Sequence, residues 1–168
     1  YCSGSGEAGA LLNEVRSFHV QLMEQLFPDA NAEVYTKVNN YFVEMEWVLE
    51  EEPREYDFVY DQIVSFGELI STTIISYFLD GMGIANRWVD IRDCLLTDNT
   101  YREGKVNWEE SAKRVKAVIP DLINERNPIV ITQGFIGATS ENYTTTLGRE
   151  GSDYTAAILA HILEAESL

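Results

Sequence analysis

"PIVITQGFIGAT" (128–139) is a short apolar run that meets two glycines, Gly134 and Gly137. Its length and its Ile and Val content predict a strand over 128–136, buried on both faces. The glycines stand past its carboxyl end, where open α/β sheets bind ligands. A tight turn would explain the same glycines, and the residues alone leave both readings open. Upstream, "IANRWVDI" (84–91) predicts a second strand, followed by the polar loop "TDNTYREGKVN" (97–107). Between the two strands, residues 108–125 have a helical pattern that Pro120 interrupts. Downstream, "TTTL" (144–147) suits another short strand, leading into a closing helix from Ser152. Helices alternating with strands in this order predict an α/β sheet with crossover helices.

The residues before this block carry a different period. Leu11, Leu12, Val15, Phe18, Leu22 and Leu26 recur at helical spacing, as do Val34, Val38, Tyr41, Phe42, Met45 and Leu49. "EEEPRE" (50–55) breaks the pattern. A third helix follows, with a kink expected near Ser65–Gly67 and a stop at "DGMG" (80–83). The expectation is a single domain over 1–168, mainly helical in 1–83 and α/β in 84–168.

The bulk properties narrow the function. Of 168 residues, 45% are hydrophobic and 24% charged, as in soluble globular domains. The formal net charge of −16 disfavours nucleic acid and anionic membrane as partners, because the summed field repels phosphate. A small anionic substrate remains possible where a few cations converge. No apolar run of the length needed to span a bilayer is evident. Cys2 and Cys94 lie far apart without a CxxC spacing, which favours a reducing, cytoplasmic setting over a disulfide framework.

Several motifs dissolve on inspection. "GSGEAG" (4–9) matches a dinucleotide fingerprint but has no strand before it, so it reads as a loop ahead of a helix. "REGKV" (102–106) lacks both the first glycine and the hydroxyl residue of a phosphate-binding loop. His19 and His161 lie in or beside apolar helical stripes, as packed histidines do. With no Cys or second His at ligand spacing, no protein-held metal site is expected.

Three segments remain. "SFGELIST" (65–72) puts Glu68 directly after a glycine, at the beginning of a long apolar helix. "ITQGFIGAT" (131–139) supplies the glycine turn. "TTLGREGSDYTAAILAHIL" (145–163) sets Arg149 between Gly148 and Gly151, with Ser152 expected as N-cap and Asp153 where the helix dipole favours it. Capping accounts for Ser152 and Asp153 but not for Arg149, whose planar fork suits a carboxylate or phosphate. One carboxylate, one arginine and glycine turns, without a nucleophile, suit positioning a small zwitterion for phosphoryl transfer.

These segments, in this order and at these intervals, resemble the aspartate kinases of the amino-acid kinase superfamily. "TTLGREGSDYTAAILA" is the most specific, and "RWVDIRDCLLTDNTYREGKVNWEES" (87–111) is similar to the family's intervening segment. The resemblance covers nearly the whole chain, most securely from Asp57 onward. It implies part of a three-layer αβα, carbamate-kinase-like fold. It also implies transfer of the ATP γ-phosphoryl group to the side-chain carboxylate of L-aspartate, on the route to lysine, threonine and methionine. By position, Glu68 would hold the substrate α-ammonium and Arg149 a substrate carboxylate. Ser152 would help position substrate or phosphate, and Gly134 and Gly137 would shape the floor of the site. Asp153 would orient the family's catalytic lysine. Family members use ATP with Mg²⁺. The family's K-F-G-G-T-S strand, which carries that lysine, and its downstream nucleotide-binding region have no counterpart in these residues. The expectation is therefore negligible kinase activity for the 168 residues alone, with open strand edges favouring a homo-oligomer. A kinase portion of a bifunctional aspartokinase–homoserine dehydrogenase and a noncatalytic interaction domain are the alternatives.

Overall fold

The computed structural model describes residues 5–27, 33–52 and 54–168. Cys2 and Gly4 lie outside the described residues. Three helices come first: α1 (Ser5–Leu26), α2 (Glu33–Glu50) and α3 (Tyr56–Gly81). The "GSGEAG" segment is thus helical from Ser5 rather than a loop, because apolar residues at helical spacing begin immediately after it. α3 runs unbroken through Ser65–Gly67, with the Ser65 hydroxyl folded back onto the Gln62 carbonyl at 2.9 Å. It stops where expected: Gly83 is left-handed (φ 78°), and the amides of Gly83 and Ile84 donate to the carbonyls of Asp80 and Leu79.

The second half contains β1 (Asn86–Val89), a 3₁₀ turn at Ile91–Asp93, α4 (Trp108–Leu122), β2 (Ile129–Thr132), β3 (Ile136–Ala138), β4 (Thr144–Thr146) and α5 (Gly151–Ile162). β1 and β2 pair in parallel, Asn86 opposite Ile129 and Val89 opposite Thr132, with α4 as the crossover. α4 is capped by the Asn107 side chain, which accepts the Glu110 amide at 3.2 Å. Pro120 does not interrupt it. The helix carries Pro120 in its last turn and ends at Leu122, with Ile123 extended as its C-cap.

The predicted strand 128–136 is two strands. Gln133–Phe135 form a turn, and β3 then pairs antiparallel with β4, Ile136 opposite Thr146. β2 is half-buried rather than buried on both faces, since among the described residues it pairs with β1 alone. β3 and β4 are fully buried.

By length and composition α3 is apolar enough to cross a membrane. In the fold it is the central core helix, packed on α2, β1, β2 and β4, and it carries Asp61 and Glu68 within that length. Phe42, Leu69, Ile70, Leu95, Ile136 and Ile158 are sealed from solvent, each stabilising the fold by about 1.5–3 kcal/mol. Cys94 is a free, buried thiol whose pKa burial pushes up to about 11, an inert packing residue. His19 packs edge-on to Phe42, and the exposed His161 sits edge-on to Trp108.

Candidate functional site

The carboxyl ends of β1 and β2 are clamped to α3 by one buried amide. The Gln133 Nε2 donates to the Thr72 hydroxyl at 2.8 Å, and its Oε1 accepts the Ile91 amide at 2.8 Å. The same hydroxyl accepts the Trp88 indole N–H at 3.1 Å and donates to the Glu68 carbonyl at 2.7 Å. Glu68 is therefore held one helical turn from the strand ends. It lies in the middle of α3, not at its beginning, because apolar spacing extends the helix back to Tyr56. Its half-buried carboxylate has no partner among the described residues, and burial raises its pKa above the ordinary glutamate value.

The turn after β2 meets the start of α5. A β-carbon on Gly134 would lie 2.8 Å from the Ser152 backbone, so only glycine lets the two segments touch. Phe135 follows in the left-handed region (φ 69°), unusual for a bulky residue. Its amide donates to the Thr155 hydroxyl at 3.0 Å and its carbonyl accepts the Leu147 amide at 2.8 Å. Its ring abuts Gly151, where a β-carbon would come within 2.6 Å.

Ser152 is not the N-cap. Glu150, left-handed at φ 58°, occupies that position, and among the described residues no side chain caps the helix. The Ser152 and Asp153 amides accordingly have no acceptor among the described residues. Beside them the Arg149 side chain is 94% exposed, with a loose 3.7 Å contact to Glu150. Asp153 lies in the first helical turn as expected, exposed and unpartnered among the described residues. An uncapped helix start with an exposed, only loosely paired guanidinium is a place to hold an anion.

A third segment completes the wall. The buried Asp61 accepts the Arg102 and Thr146 amides, each at 2.8 Å, and the Thr146 hydroxyl at 2.8 Å. Burial raises its pKa, and these hydrogen bonds pull it partly back. The result is an open cleft of about 640 Å³ lined by Tyr60, Tyr101, Arg102, Phe135, Gly148 and Arg149, among others.

Of the residues singled out in the sequence, Gly134 and Ser152 touch directly, and Arg149 stands three positions before Ser152 and lines the cleft. Glu68 is tied to the turn at Gly134 through Thr72 and Gln133 without lining the cleft. Gly137 does not form the floor. It is buried in β3, where a β-carbon would meet the Leu95 carbonyl at 3.0 Å, so it serves the packing behind the site. Asp61, Arg102, Gln133 and Phe135 were not anticipated. Only Asp61, one acid at a core-facing position of an apolar helix, carried a signal in the sequence. Among the described residues no three His, Cys, Asp or Glu side chains converge to hold a metal.

The sequence profile of the Amino acid kinase family matches residues 2–168. The chain is 40% identical over 105 residues to the Lysine-sensitive aspartokinase 3 of Escherichia coli (strain K12), covering 62% of this chain and 23% of that protein. It is 36% identical over 111 residues to a chloroplastic bifunctional aspartokinase/homoserine dehydrogenase 2 of Arabidopsis thaliana, covering 64% and 12%. A crystal structure of E. coli aspartokinase III in complex with aspartate and ADP superposes with a TM-score of 0.83 at 29% identity, over 95% of this chain and 35% of that one. The chain thus spans about a third or less of the length of these relatives.

Proposed function

The chain belongs to the amino acid kinase family, and from that premise we propose that it is the aspartate-binding part of an aspartate kinase. The overall reaction moves the ATP γ-phosphoryl group to the side-chain carboxylate of L-aspartate. A carboxylate oxygen attacks the γ-phosphorus, the bond to the ADP oxygen breaks, and 4-phospho-L-aspartate forms. The attacking carboxylate is already ionised at neutral pH, so no general base is needed. The protein's task is to orient two anions and offset their repulsion.

The observation that carries this reading is the exposed Arg149 guanidinium, in only a loose contact with Glu150, beside the uncapped start of α5, on a scaffold that also holds a Glu68 carboxylate without a partner among the described residues. Arg149 takes the α-carboxylate with a two-pronged fork, helped by the Ser152 amide and hydroxyl. Glu68 lies outside the cleft lining but is tied to the turn beside it through Thr72 and Gln133. It takes the α-ammonium once the long, exposed Arg149 side chain draws the α-carboxylate toward the strand ends, and the ion pair offsets the cost of its burial. Gly134 lets Ser152 approach the strand ends, and Asp153 aims a lysine supplied from outside these residues. ATP enters as second substrate, bringing its magnesium ion. The structural relative solved with aspartate and ADP supports the choice of both substrates.

Isothermal titration with L-aspartate tests this. Arg149→Ala is expected to weaken binding by roughly 10–100-fold, the loss of a charge-assisted pair. Unchanged binding would sink the site assignment.

A further inference from the structure

Arg102 is the second arginine of the cleft, and its backbone is firmly held while its side chain stays half exposed. Its backbone is left-handed at φ 67°, a conformation that non-glycine residues adopt infrequently. Buried Asp61 fixes it by accepting its amide at 2.8 Å. Gly148, next in sequence to Arg149, has room for no β-carbon without crowding the Arg102 carbonyl at 3.1 Å. The two arginines thus sit on loops packed directly against each other, and both line one cleft. Left-handed residues also gather here: Arg102, Phe135, Gly148 and Glu150 all lie in or beside the cleft. Unusual backbone conformations tend to collect at ligand sites.

The side chain is poised rather than consumed. The Arg102 guanidinium lies 4.7 Å from the Tyr60 ring centroid, which orients its plane. Its ionic partner is Asp57 at 3.3 Å, with the two side chains 48% and 56% exposed. Such a solvent-facing pair is weak and exchanges readily for a stronger acceptor. Glu103 also lines the cleft, so the walls carry two arginines and two carboxylates, one of the latter already engaged by Arg102.

We propose that Arg102 is a specificity-determining residue that leaves Asp57 to engage the second carboxylate of a bound dicarboxylic amino acid, while Arg149 holds the first. The inference rests on the aspartate-binding reading above. It assigns acid-over-amide discrimination to Arg102, since a guanidinium fork pairs with a carboxylate twice and with a neutral amide only once.

The test titrates the protein with L-aspartate and L-asparagine and compares variants. Arg102→Gln is expected to lower the aspartate-over-asparagine preference about tenfold, whereas Arg149→Ala lowers affinity for both ligands alike. Asp57→Asn, which frees the guanidinium, is expected to tighten aspartate binding several-fold. The Arg102→Gln backbone keeps its bond to Asp61, and a thermal melt checks that the fold is retained; Arg102→Lys serves if it is not. An unchanged preference in the arginine variant, or unchanged affinity in Asp57→Asn, overturns the inference and leaves the aspartate site standing. Failure of the unmodified protein to bind aspartate overturns both.

Discussion

A β-carbon placed on Gly134 would lie 2.8 Å from both the Cα and the Cβ of Ser152. The contact is backbone against backbone, so no side-chain rotation relieves it. Gly134→Ala must therefore push the start of α5 away from the carboxyl end of β2. The expected cost is about 1–3 kcal/mol, as for other overpacked sites, read as a lower denaturation midpoint. Aspartate affinity should fall with it, because Ser152 and Arg149 move with the helix start. A variant of native stability and affinity would show that the contact yields at little cost.

Asp61 differs from an ordinary buried acid in that its partners are three donors on two other segments. Asp61→Ala leaves the Arg102 and Thr146 amides without acceptors and should cost on the order of 3 kcal/mol. Asp61→Asn should be far milder: its oxygen takes both amides, while its NH₂ donates to a Thr146 hydroxyl turned to accept. The pH dependence separates the two effects. Burial raises the folded-state pKa, so the folded chain holds the proton longer than the unfolded one, and stability falls as pH rises from the ordinary aspartate range through the raised value. Asp61→Asn removes that decline. Denaturant titrations across the acid range would reveal a persisting slope if the assignment is wrong.

Glu68 links burial to substrate recognition. Its raised pKa means that it protonates at a higher pH than an exposed glutamate. Only the ionised form attracts the α-ammonium of aspartate. Affinity should therefore fall as pH drops through that raised value, and aspartate binding there should release a proton. Calorimetry in buffers of different ionisation enthalpy measures the release. Glu68→Gln is expected to bind more weakly at neutral pH and to show no release, and proton release persisting in that variant would remove Glu68 from the role.

Much of this was legible in the residues because it is local. Apolar spacing located all three early helices, and the glycines of "DGMG" marked a true left-handed stop at Gly83. Arg149 stood out because capping never requires an arginine. What was hidden depends on distance along the chain. Asp61 meets Thr146 across 85 positions, and Gln133 meets Thr72 across 61. Neither polar residue announces a partner so far away. The run 128–136 looked like one strand because only Thr132 and Gln133 break its apolar content, whereas Gln133 turns inward to bond and the backbone bends there. Ser152 has the chemistry of a cap, but left-handed Glu150 starts the helix two residues earlier.

Gln133 offers the most direct test of how the site is held to the core. It is 1% exposed, and both ends of its amide are used, one as donor to Thr72 and one as acceptor for Ile91. Gln133→Ala leaves the Ile91 amide unpaired and opens a cavity, for a loss of about 2–4 kcal/mol. Gln133→Glu keeps the shape and the acceptor but introduces an ionisable group where water does not reach. Desolvation should raise its folded-state pKa above the ordinary glutamate value, so the folded variant retains its proton where the unfolded chain has lost it. Stability relative to the parent is then near normal below that ordinary value and declines as pH rises through the shifted one. Because Thr72 lies one turn from Glu68, aspartate affinity should weaken in parallel at neutral pH and recover in part on mild acidification, before Glu68 itself protonates. Denaturant midpoints and aspartate titrations from acid to neutral pH measure both. A Gln133→Glu variant with pH-independent stability would mean that Gln133 is not sealed between α3 and the strand ends, and that another contact fixes Glu68 beside them.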